Sequence, residues 1–138
     1  MGEYIGVGSQ GIARERDDEV IDAGINEGED IDYPHVAVKA ARMIAEGKAD
    51  RGVFFCGTGM GVAMSANKVK GIRCAMVSEP YSAMMCRRHN DANMISIGAR
   101  VLGEAPAKMI VRAFLTENFE GGRHQRRVDL ITDIENNQ

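Results

Sequence analysis

The sequence has no apolar run long enough to cross a bilayer, no secretory leader and no even set of cysteines. Each absence removes a class of protein. A spanning helix needs about 20 consecutive apolar residues, so a membrane-spanning helix is not expected. The start Met1-Gly2-Glu3-Tyr4-Ile5-Gly6 offers neither a cationic, apolar signal nor the Ser or Thr at position 6 that myristoylation uses, which makes the cytoplasm the expected location. Cys56, Cys74 and Cys86 form an odd count without an export signal, so free thiols are expected rather than a disulfide framework. No His/Cys cluster has zinc-ligand spacing, so no metal is implied. A formal charge of −3 excludes a general attraction to nucleic acid or anionic lipid. No repeat, low-complexity tract or proline-rich linker divides the 138 residues, so 1–138 reads as a single domain.

What is present is an alternation. Short β-like runs at 4–8, 19–24, 51–56, 73–77 and 93–98 are separated by helical patterns, which argues for an α/β fold with a mostly parallel sheet covered on both faces. The helix over 34–46 places Val36, Ala40, Met43 and Ile44 on one face, with Asp32 as cap and Gly47 as stop. Further helices are expected over Met60–Lys68, Tyr81 to about Arg88, Pro106 to about Leu115, and about Gly122 to Glu135, the last amphipathic through Val128, Ile131 and Ile134. Met43, Met60, Met64, Met84, Met85 and Met109 read as core filler. Ligands of open parallel sheets bind beyond the carboxyl ends of the strands, where Cys56, Glu79 and Arg100 fall.

One stretch carries chemistry. Cys56 is followed by Gly57-Thr58-Gly59-Met60-Gly61 where a strand opens onto a helix. Glycines there let successive N–H groups turn inward, and the helix start adds unsatisfied amides, so an anion belongs in the nest. The same field favours thiolate over thiol at Cys56, making it a candidate base or nucleophile. The plain alternative is a small buried cysteine beside a tight turn. Neither nucleotide pattern fits: no Lys follows the glycines as in a phosphate loop, and the dinucleotide spacing fails, although Glu79 lies near the distance of a ribose-binding acid. Arg123 and Arg127 stand i, i+4 on the last helix and could grip one phosphate, against the simpler reading of a solvated basic patch. His89 reads as a helix-terminus cap or as an acid–base group.

The stretches DYPHVA (32–37), CGTGMGVAMSANKVKGIRCA (56–75), SEPYSAMMCRRHNDANMISIGARV (78–101) and FEGGRHQRR (119–127) together resemble type B ribose-5-phosphate isomerases, a family that includes galactose-6-phosphate and allose-6-phosphate isomerases. The resemblance implies a flavodoxin-like three-layer sandwich with a five-stranded sheet. It implies a homodimer, sometimes a tetramer, whose C-terminal helix packs on the partner and whose active sites are shared between subunits. The implied reaction interconverts an aldose phosphate and a ketose phosphate without metal or cofactor. Carried over, Cys56 matches the base, Gly57, Thr58, Gly59 and Gly61 the anion hole, and His89 the ring-opening residue with Asn90 beside it. Tyr33 matches a substrate contact, and Arg100, Arg123 and Arg127 a phosphate clamp. The first 19 residues depart from the pattern. Gln10 and Gly11 stand where the family has Asp and His, and the link to Val20 is about ten residues short for a full helix before the second strand. A non-catalytic sugar-phosphate-binding homologue is the competing reading.

Overall fold

The computed structural model describes residues 3–6, 19–22 and 32–138. Gln10, Gly11 and the link to Val20 lie outside them. Strands β1 (Glu3–Gly6), β2 (Glu19–Asp22), β3 (Arg51–Cys56), β4 (Cys74–Met76) and β5 (Met94–Gly98) pair in the order β2-β1-β3-β5-β4, every pair parallel. The flavodoxin arrangement runs 2-1-3-4-5, so the last two positions are exchanged here. Five helices are described: α1 (Tyr33–Ala45), α2 (Met60–Ala66), α3 (Pro80–Arg88), α4 (Glu104–Thr116) and α5 (Arg123–Asn136). None is long and apolar enough to cross a membrane.

Alternation along the strands sorts the core into two layers, because successive side chains of a strand face opposite ways. Phe54 and Met94 face Val36, Ala40 and Ile44 of α1 and Val62 and Ala66 of α2. Val53, Ile95 and Ile97 face Ala83 and Cys86 of α3 and Ile110, Val111 and Phe114 of α4. Helix α1 ends as expected at Gly47: its φ is +78°, its N–H bonds to the Ile44 carbonyl, and the Lys48 N–H bonds to that of Met43. Asp32 holds the N-cap position, but its side chain makes no cap hydrogen bond.

One expectation about burial fails. Met60, Met64 and Met109 are 50, 68 and 55% exposed rather than core filler. Helix α2 has only seven residues and buries Val62, Ala63 and Ala66, which leaves Met60 and Met64 on its outer side. Helix α5 buries only His124 and Val128, so Ile131 and Ile134 of its apolar face stay exposed, with Leu130 beside them.

Candidate active site

Cys56 is the last residue of β3, half-buried against the α1–α2 layer. The turn that follows is braced from behind by β5 and its exit loop. The Cys56 carbonyl accepts from the Ala99 N–H at 2.6 Å, and the Gly57 carbonyl from the Arg100 N–H at 3.1 Å. The buried Ser96 hydroxyl donates to the Gly59 carbonyl. In a planar trans peptide the carbonyl and the next N–H point opposite ways. Binding these carbonyls to the β5 side therefore turns the N–H groups of Gly57 and Thr58 away from β5. The Met60 N–H, turned likewise, reaches Thr58 Oγ1 at 3.3 Å and orients that hydroxyl.

Glycine is required in this turn for two different reasons. Gly59 has φ +84°, and a Cβ there would sit 2.8 Å from Ser96 Oγ and 3.2 Å from the Ile97 carbonyl carbon. A Cβ at Gly98, across on β5, would meet the Thr58 carbonyl oxygen at 2.8 Å. At Gly61 the close neighbour is the Tyr33 ring, whose nearest atom would lie 2.4 Å from a Cβ, which places the phenol on the first turn of α2. The Cδ and Nε of Arg100 lie 3.7 and 3.8 Å from the corresponding position on Gly57. Tyr33, Cys56, the Gly57–Gly61 turn and Arg100 thus form one cluster: a thiol, a glycine-rich turn, a phenol and a guanidinium.

His89, Asn90, Arg123 and Arg127 lie elsewhere. His89 caps the end of α3 and Asn90 follows it, its carbonyl accepting from Arg73 Nε at 3.1 Å just before β4 begins. The Gly52 N–H bonds to the Asn93 carbonyl at the start of β5. From Gly52 to Cys56 is four strand steps, roughly 13 Å, and His89 and Asn90 lie beyond Asn93 at the amino edge of the sheet. Helix α5 starts at this edge. Its His124 ring stacks on His89, centroids 4.1 Å apart, while Arg123 and Arg127 are exposed on either side of His124. One chain therefore carries these candidate residues in two groups at opposite ends of its sheet, not in the single convergence at the carboxyl ends expected from the strand pattern. Glu79 belongs to neither: its carboxylate accepts from the Ser82 N–H at 2.9 and 3.1 Å, an N-cap on α3 that holds it below the usual carboxylate range.

The other two thiols are set apart by burial. It pushes Cys74 up to about 12 and Cys86 up to about 11, and Cys86 also donates to the Ala83 carbonyl at 3.2 Å. Iodoacetamide at pH 8 is expected to label Cys56 alone in the native protein, as read by peptide mass; labelling of Cys74 or Cys86 at a comparable rate would contradict this assignment. Residues 9–131 match the sequence profile of the Ribose/Galactose Isomerase family. The chain belongs to that family.

Other family members are close in sequence. Ribose-5-phosphate isomerase B of Escherichia coli (strain K12) is 52% identical over 121 residues, covering 88% of this chain and 81% of that protein. D-erythrulose-4-phosphate isomerase of Pectobacterium atrosepticum is 46% identical over 104 residues, covering 75% and 68%. Among solved structures, ribose-5-phosphate isomerase B of Clostridium thermocellum superposes with a TM-score of 0.88 at 43% identity, covering 99% of this chain and 98% of that one. The Mycoplasma genitalium ribose-5-phosphate isomerase B with bound ribulose-5-phosphate gives 0.88 at 34% identity, covering 99% and 97%.

Within this isomerase family fold, four residues that matter here carry weak sequence signals. Ser96 is the only hydroxyl in the apolar run Met94–Gly98, and Gly98 ends that run. His124 and Glu120 sit in the FEGGRHQRR stretch, where the arginines draw attention and the i, i+4 spacing of His124 from the apolar Val128 is the one clue.

Proposed function

We propose that this chain interconverts an aldose phosphate and its ketose phosphate, most directly ribose 5-phosphate and ribulose 5-phosphate or a related tetrose or hexose phosphate, with Cys56 as the base. The observation that carries the reading is the turn directly after Cys56, whose carbonyls are bonded to the exit of β5 so that the amides of Gly57 and Thr58 are turned away from it and left as donors.

Removing a proton next to a carbonyl is feasible when the resulting oxyanion meets preorganised donors. The Cys56 sulfur takes the proton from C2 of the open-chain aldose, and the electron pair moves onto O1, giving a cis-enediolate. The amides of Gly57 and Thr58 and the Thr58 hydroxyl receive the developing charge, in a turn whose close packing needs glycine at Gly59 and Gly61. The O2 hydroxyl proton passes to O1, and the sulfur, whose proton exchanges with solvent, returns a proton to C1, which leaves C2 as the ketose carbonyl. Tyr33 and Asn90 contact sugar hydroxyls, and Arg100, Arg123 and Arg127 clamp the phosphate, so that remote binding energy aligns the reacting carbons. His89 opens the cyclic form. No cofactor or metal enters these steps.

The two groups of residues form half-sites that meet only between chains. In a two-fold dimer the Cys56 end of one protomer faces the His89 end of the other, twice. The exposed row Leu130, Ile131 and Ile134 on α5, beside an open groove of about 640 Å³ lined in part by Ile72, Ile131 and Ile134, supports the C-terminal helix as part of the contact with a second copy. The free thiols fit the reducing cytoplasm.

A non-catalytic sugar-phosphate binder is the second reading, favoured by Gln10 and Gly11 in place of the family's Asp and His. A turnover screen over four- to six-carbon aldose and ketose phosphates separates the two. Conversion of at least one pair is expected; calorimetric binding without conversion of any would replace the isomerase reading with the binder.

A further inference from the structure

Glu120 and His124 are not needed for the proton transfers above, yet they meet at His89. The His89 and His124 rings are nearly parallel, 9° apart in plane at a centroid distance of 4.1 Å. One oxygen of Glu120 lies 3.6 Å from His89 Nε2 and 3.5 Å from His124 Nε2, so a single carboxylate faces the edges of both rings. The Glu120 N–H donates to the Arg88 carbonyl at 3.0 Å, and Arg88 pairs with Glu117, which fastens this loop to the end of α3.

From this arrangement we infer that Glu120 and His124 are positioning residues for His89, fixing respectively the direction of its edge and the plane of its ring. Two torsions set an imidazole, and these two contacts constrain both. The His89 ring is partly exposed, whereas His124 is buried, so His124 is the fixed member and His89 the one held. Burial first, then the charges of His89 and Arg123, holds His124 below the usual imidazole range. The lowering favours the neutral ring in the stack. Because His124 lies between Arg123 and Arg127, the stack also joins the ring-opening group to the helix proposed to grip the phosphate.

The same three side chains could suggest a metal site, since their ligand atoms lie within 4.8 Å of one another. The ring planes argue otherwise. Zinc needs two imidazole lone pairs that converge about 2 Å from each nitrogen, and stacked parallel rings direct theirs side by side.

The role rests on the isomerase reading and has a signature of its own. An aldopentose 5-phosphate is cyclic in water, and its C1–O4 bond must break while O1 loses a proton and O4 gains one. A tetrose 4-phosphate has no free hydroxyl able to close a furanose ring, so it needs no such step. Misplacing an acid–base group by about 1 Å costs up to about a hundredfold. His124→Leu and the surface variant Glu120→Ala are therefore expected to lower kcat/KM at least about tenfold for aldopentose 5-phosphate, and by less than about threefold for tetrose 4-phosphate. His124→Phe, which keeps a flat ring in the stack, is expected to recover most of the loss. Equal losses on both substrates, or none on either, overturn the positioning role while leaving the isomerase reading intact. A wild-type protein that converts neither substrate overturns both.

Discussion

Cys56→Ala is expected to remove nearly all isomerase activity, by about 10²–10⁴-fold, the usual contribution of a positioned general base. At about 1.4 kcal/mol per factor of ten, that is roughly 3–5 kcal/mol of transition-state stabilisation. The loss should fall on kcat, because the substrate's phosphate and hydroxyl contacts lie on other residues. Isotope exchange gives the most direct reading. In deuterated water the wild-type enzyme should place solvent label on C1 or C2 of the sugar phosphate, since the enediolate passes its proton through the sulfur. The variant should not. Cys56 is half-buried at a strand end and alanine is smaller, so the fold survives the change, and an unaltered far-UV spectrum checks this. Label uptake by Cys56→Ala at the wild-type rate would remove the sulfur from the mechanism.

The second large effect is a gain rather than a loss. Cys56→Ala and His89→Asn proteins should each be nearly inert toward a cyclic aldose phosphate, yet mixing them should restore activity. In a two-fold dimer with shared sites, a mixed pair has one site carrying both substitutions and one carrying neither. Random re-pairing of equal amounts makes half the dimers mixed, so about a quarter of the sites should be intact. Activity equal to the sum of the separate proteins after exchange, with mixed dimers verified by mass, would place Cys56 and His89 in the same chain's site or in no common site. The geometry argues against that outcome, because roughly 13 Å of β3 separates Cys56 from the edge beyond which His89 lies.

The thiol-and-glycine turn at the carboxyl edge was legible because it is local. Cys56 to Gly61 is contiguous, and a thiol followed by alternating glycines at a strand end has few physical meanings. The helix stop at Gly47 was legible for the same reason, through a positive φ that only a glycine takes at little cost. Errors gathered where the outcome depends on distant neighbours. Met60 and Met64 carry core-like side chains, but α2 is too short and too peripheral to bury them. Glu79 sits at a strand end like a ligand contact, but the nearest groups in need of an acceptor are the free amides of α3.

By itself the sequence determined the α/β alternation, the thiol-and-glycine turn and, through resemblance, the family. Those properties depend on residue type and short spacing. Only the tertiary structure decided that the strands run β2-β1-β3-β5-β4, that β5 braces the turn through Ser96 and the amides of Ala99 and Arg100, and that His89 meets Glu120 and His124. It also put Cys56 and His89 at opposite ends of one sheet. Parallel strands give a sheet a direction, and which end a residue occupies follows from how every connecting helix returns, a property of the whole chain that no single stretch contains.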